Sequence, residues 1–163
     1  MAQREMASMT DLYEAPPGKQ ALRAWLRILT IAQMVQKEIR ARFRREFQTT
    51  LPRFDVLAAL ARVPEGQTMG EISRWLLVSN GNITGIIARL AEDELVTRSR
   101  APDDRRVHLV KLSRKGEAEF RRQSRAHEQW IHELLGDLEP DDAAALERLT
   151  HSVKARLGRR GSR

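Results

Sequence analysis

The side chains in this sequence best equipped for chemistry are guanidinium, carboxamide and hydroxyl groups rather than nucleophiles or metal ligands. Among 163 residues there is no cysteine, which excludes a thiolate nucleophile, a Cys-ligated zinc and a disulfide framework. His127 and His132 come nearest to a metal motif, but they stand five apart. That spacing turns them about 140° from each other on a helix, whereas a zinc-protease helix sets its histidines four apart on one face. The sequence holds no Gly-rich phosphate loop, no Gly-x-Ser-x-Gly elbow and no EF-hand loop. Neither enzyme activity nor a metal or cofactor is expected.

What remains suits a polyanion. The chain carries 29 Lys and Arg against 22 Asp and Glu, a net charge of +7, and such a protein is drawn to polyanions: nucleic acid, the ribosome or an anionic membrane. The charge is uneven: residues 37–53 hold six cations and two acids, residues 151–163 five cations and none, and residues 54–96 only three cations against six acids. Within that acidic middle, Ser79, Asn80, Gly81, Asn82, Thr84, Gly85 and Arg89 fall on one side of a helical pattern whose other side is Ile83, Ile86, Ile87 and Leu90. Asparagine pairs with adenine edges, threonine with a base or a thymine methyl, arginine with guanine or phosphate. Two glycines inside a helix cost about 1 kcal/mol each relative to alanine. Either a DNA backbone comes close to them, or they let two helices pack together. Arg98 and Arg100 follow on a β-prone run, and Asp104, Arg105 and Arg106 occupy its turn, where a guanidinium fits a narrow minor groove.

The elements around these residues are read from periodicity and punctuation. Trp25, Ile28, Leu29, Ala32, Val35, Ile39, Phe43 and Phe47 give one apolar face to a helix over 19–47. At 1.5 Å per residue it spans about 40 Å, more than one small lobe can cover, so a second subunit is expected. Pro52 opens a second helix with Phe54, Leu57, Ala58, Leu60 and Ala61 inward. Thr68-Met69-Gly70-Glu71 has the form of a capping box that opens a short helix through Trp75 and Leu76. Ser79 caps the next helix, and strands follow at 95–100 and 107–112. Ser113 caps a helix over 114–135, and Asp141 or Asp142 one over 141–157. Residues 1–18 read as a flexible leader and 158–163 as a basic tail. The fold class is mainly α: a winged helix-turn-helix lobe over 52–112, with a two-stranded β wing and a helical stalk.

These residues resemble the MarR family of bacterial regulators. The likeness rests on "NITGIIARLAEDELVTR", on the wing "PDDRRVHLVKLSRKG" with its Asp-x-Arg pair Asp104 and Arg106, and on the long first and two terminal helices. The run "TTLPRFDVLAALARVPEGQTMGEISRWLLVSNGNITG" is similar to family members that govern hydroxycinnamate and benzoate catabolism. The resemblance implies a homodimer on double-stranded palindromic DNA, a repressor with Arg106 in the minor groove and Asp104 orienting it. It also implies a small effector, an aromatic carboxylate or aromatic acyl-CoA, between lobe and stalk. Peroxide-sensing members use a reactive cysteine, so thiol oxidation is excluded as the switch here. Candidates for the effector site are Arg40 and Arg44 for the anion and Phe43, Phe47, Phe54 and Trp130 for the ring. Those arginines fit equally a face turned to solvent or to DNA phosphate. The alternative function is an RNA- or ribosome-associated winged-helix module without an effector. No apolar run reaches the length of a membrane span and no secretory h-region is present, so the expected location is cytoplasmic.

Overall fold

The absence of glycine and proline from 19–51 yields α1, Gln20–Phe47, in the computed structural model, which describes residues 18–100 and 108–160. The chain divides between Arg125 and Ala126 into two compact units. In the first, α1 buries Ile39 and Phe43 near its C-terminal end, while Trp25, Ile28, Ile31 and Met34 stay exposed. It ends at Gln48 in the left-handed region (φ 51°), whose N–H returns to the Phe43 carbonyl.

Helix α2, Leu51–Ala61, has proline in its first turn. Thr68 and Glu71 close the expected capping box at the start of α3, Met69–Leu76. The Glu71 N–H donates to Thr68 Oγ1 at 3.2 Å, and the Thr68 N–H donates to Glu71 Oε2 at 2.8 Å. That backbone bond, with a second from the Thr68 hydroxyl, holds the Glu71 carboxyl below its ordinary value. Leu77, with φ 57°, turns the chain sharply into α4, Asn80–Glu92. Ser79 occupies the cap position with extended backbone, but its hydroxyl makes no cap bond.

Strands β1, Val96–Arg100, and β2, His108–Leu112, pair antiparallel with Arg98 opposite Val110. Gln67 adds a bridge to β2, exchanging bonds of 2.9 and 2.8 Å with Val110, and its amide donates to the Ala59 carbonyl at 2.5 Å. The core of this winged lobe is Val56, Leu57, Ala59 and Leu60 of α2, Ile72 of α3, Ile83, Ile87 and Leu90 of α4, and Leu95, Val96 and Val110 at the strands. Three helices and a ribbon therefore share one apolar centre, which fixes how α4 is presented.

Helix α5, Arg114–Leu135, begins where Ser113 Oγ accepts the Gly116 N–H at 2.9 Å and donates to the Glu94 carbonyl at 2.6 Å. A Cβ at Gly116 would lie 1.9 Å from the Leu95 carbonyl oxygen, so only glycine lets α5 start this close to β1. In the second unit, α6 runs Pro140–Arg160. It starts before the expected Asp141 or Asp142 cap, because proline suits the first helical position and leaves both aspartates in the first turn, where the helix dipole favours them. It also continues past Leu157, the end expected from periodicity. Leu146, Leu149, Val153 and Leu157 on α6 are exposed.

Candidate functional site

Helix α4 buries Ile83, Ile87 and Leu90 completely, and helical geometry therefore turns the intervening positions outward. Asn80, Gly81, Asn82, Thr84, Gly85 and Arg89 are all exposed, as is Ser79 ahead of them. The Thr84 hydroxyl donates to the Asn80 carbonyl at 3.0 Å, which commits its proton to the helix. A Cβ added at Gly81 or Gly85 would meet nothing within 4 Å. Close packing of two helices is thus not what these glycines serve among the described residues. They leave a smooth, open edge on the helix, available to a body from outside. Arg98 and Arg100 on β1 are exposed as well. Asp104, Arg105 and Arg106 of the wing turn lie outside the described residues.

The effector candidates do not converge on one surface. The Phe43 and Phe54 rings pack at 4.9 Å between centroids, and Phe54 stacks on Phe120 of α5 at 5.8 Å. Phe43 and Phe54 are both buried, so they pack α1, α2 and α5 together rather than form a wall open to a ligand. Arg44 is exposed and lines neither cleft described below. Trp130 is buried and belongs to the second unit. Arg40 and Phe47 each reach a cleft, but different ones.

The first cleft, about 530 Å³, opens beside Phe47 and is walled by Arg53 of α2, Asp93 and Leu95 beyond α4, and Glu119, Arg122 and Gln123 of α5. Arg53 Nη2 donates to Asp93 Oδ2, tying the start of α2 to the C-cap of α4. The Arg122 guanidinium lies 4.6 Å from the Phe47 ring centre and bonds Glu119 at 2.8 Å. Burial pushes the Glu119 carboxyl up, but the bonds from Arg122 and Gln123 together outweigh it and leave the group below its ordinary value. Arg53 Nε and Gln123 Oε1 are buried without a hydrogen-bond partner among the described residues. Sequence reasoning missed Arg53, Asp93, Arg122 and Gln123, because no local motif joins Arg53 to residues 40 or more positions away.

The second cleft, about 520 Å³, lies against α4, whose Asn82, Ile83 and Ile86 line it. Arg40 and Asp55 are its charged members. Burial raises the Asp55 carboxyl from 3.8 to about 6, against a smaller pull from the Arg40 charge. Among the described residues no three His, Cys, Asp or Glu side chains are grouped to hold a metal ion, and no helix is long and apolar enough to cross a membrane.

Residues 47–107 match the model of the MarR family. The chain is 33% identical over 118 residues to the transcriptional activatory protein BadR of Rhodopseudomonas palustris, covering 71% of this chain and 66% of BadR. A MarR family transcriptional regulator from Silicibacter pomeroyi superposes with a TM-score of 0.74 at 28% identity, over 88% of this chain and 99% of that one. The fold is also that of a mutant MarR from E. coli complexed with operator DNA, with a TM-score of 0.72 at 24% identity over 85% of this chain and 99% of that one.

Proposed function

This chain belongs to the MarR family, and from that premise we propose that it is a cytoplasmic, ligand-responsive regulator, a repressor, that grips a palindromic DNA operator as a homodimer. The observation that carries the reading is the open edge of α4, where Asn80, Asn82, Thr84 and Arg89 are exposed around two glycines with free space beyond them. A major groove admits such a helix, and small residues let the sugar-phosphate wall come near. Arg98 and Arg100 on the ribbon supply phosphate contacts, and Arg106, oriented by Asp104 and flanked by Arg105, enters the minor groove.

Dimerisation is supported by apolar side chains that this chain leaves uncovered: Trp25, Ile28, Ile31 and Met34 on α1, and Leu146, Leu149, Val153 and Leu157 on α6. Two reading helices on a palindrome must sit about one helical turn, roughly 34 Å, apart. The effector is a small aromatic anion or aromatic acyl-CoA that favours a state with another spacing, and only its differential affinity for that state releases DNA.

The test is binding to duplex DNA from upstream of the chain's own gene, in competition with RNA of equal length, repeated with aromatic acids, their thioesters and hydrogen peroxide. Tight duplex binding, lowered by an aromatic anion and indifferent to peroxide, is expected. Preference for RNA, or release by peroxide alone, refutes the reading. Asn82→Ala relaxes base preference at one operator position by about 1–3 kcal/mol if Asn82 reads a base edge.

A further inference from the structure

The chain holds two asparagines, and both stand on α4. Their neighbours differ. Asn82 precedes Ile83, which is β-branched and fully buried. Asn80 precedes Gly81, and both are exposed. The side-chain amide of an asparagine is open to attack by the backbone nitrogen of the next residue. Two things obstruct that attack: bulk on the next residue and a backbone held rigidly by hydrogen bonds. At Asn80 the structure lifts both. Gly81 has no side chain, and even a Cβ there would meet nothing within 4 Å. Asn80 is the first residue of α4, where the leading N–H groups have no partner inside the helix. Ser79 at the cap position has a hydroxyl that could hold one of them, and it makes no such bond. The first core side chain of the helix is Ile83, so Asn80 and Gly81 leave helical geometry at little cost.

We propose that Asn80–Gly81 is a deamidation site, at which the open edge of α4 is converted, slowly and without an enzyme, from a neutral amide to a carboxylate. The Gly81 nitrogen loses its proton to base and attacks Cγ of Asn80. A bond from that nitrogen to Cγ forms, closing a cyclic imide, and the Cγ–Nδ2 bond breaks. Nδ2 leaves as ammonia, taking up a proton from solvent. Water then opens the imide, at Cγ to give aspartate or at the main-chain carbonyl carbon to give isoaspartate. No electrons are exchanged, and water is the only co-reactant. The fold accepts the new charge, because a carboxylate in the first turn of a helix is favoured by the helix dipole. DNA does not: the carboxylate repels phosphate and lacks the N–H that a carboxamide offers to an adenine edge. The converted chain is therefore folded but no longer grips its operator, and a duplex seated on the edge shields Asn80 from conversion. Those consequences rest on the DNA-binding reading above; the conversion itself does not.

The experiment incubates the full chain in mildly alkaline buffer beside a free peptide of residues 77–84. Peptide mapping follows the mass gain of amide-to-acid conversion and the isoaspartate content at each asparagine. Conversion at Asn80 is expected within about tenfold of the peptide's rate, because helix ends open readily, while Asn82 stays an amide. Gly81→Ala puts a methyl on the attacking residue at a position with free space; it keeps the helix and slows conversion about tenfold or more. A full chain unconverted after about ten half-lives of the peptide, or one converted at Asn82 as fast as at Asn80, overturns the proposal. Duplex binding is measured separately, where Asn80→Asp lowers affinity about tenfold or more and saturating duplex slows conversion of the unmodified chain. Equal duplex affinity of Asn80→Asp and the unmodified chain overturns the loss of grip. A chain that converts but binds no duplex refutes the regulator reading alone, and one that binds duplex but does not convert refutes this site alone.

Discussion

Replacing Asp55 by asparagine will stabilise the protein above about pH 6 and leave it unchanged near pH 3.5, because the carboxyl is pushed from 3.8 up to about 6 by burial beside Pro52, Leu76, Ile83 and Ile86. In the window between those values the folded chain holds a proton that the unfolded chain has released. Stability therefore falls as pH rises through the window and is level above it. A fully shielded carboxyl moved this far carries a penalty of roughly 3 kcal/mol on its charged form. Asp55 retains contact with water and feels Arg40, so about 1–2 kcal/mol is the share expected at neutral pH. Asparagine has the same shape and no charge, and it removes that share. For a chain of this length the gain is about 2–8 °C in melting temperature. The assay is thermal melting of both proteins from pH 3.5 to 8. A gain that does not depend on pH, or a loss at pH 7.5, refutes the argument that desolvation dominates at this position.

Gly85→Ala raises the melting temperature by about 2–4 °C, since alanine favours the helix by about 1 kcal/mol and its methyl meets nothing; operator affinity falls at the same time, and an unchanged affinity in gel-shift titration argues against close DNA approach at that edge. Gly116→Ala forces the start of α5 off the Leu95 carbonyl and costs about 3 kcal/mol or more, read as a lower denaturant midpoint. Thr68→Ala removes the capping box of α3 and costs about 1 kcal/mol, with denaturation midpoints as the measure. Light scattering gives twice the monomer mass at micromolar concentration, and Leu149→Glu together with Trp25→Glu, both at exposed apolar positions, lowers it to that of one chain.

Local rules in the sequence determined the elements. A glycine- and proline-free run with apolar residues three and four apart set α1, Thr68 and Glu71 set the start of α3, and the alternation of buried isoleucines set which side of α4 faces outward. Each depends on residues within a few positions of one another, where helix geometry and capping act alone. Pro140 shows the limit of such reasoning: two aspartates that look like caps lie inside the first turn, because a residue ahead of them fits the helix start better. By sequence alone the glycines on α4 fit either helix packing or close approach of another body, and only the folded chain shows open space beside them. The effector candidates Arg40, Phe43, Arg44, Phe47, Phe54 and Trp130 share the ring and charge types that an aromatic anion needs, but lie on α1, α2 and α5. Tertiary packing consumed Phe43 and Phe54 in the contact between α1 and α2 and sent Arg40 and Phe47 to separate clefts. The polar cleft itself joins Arg53 to Asp93, 40 positions away, and brings Gln123 from α5 to the same wall. No periodicity encodes such a meeting, because it depends on how three helices cross around a shared core, and desolvation of Asp55 depends on the same crossing.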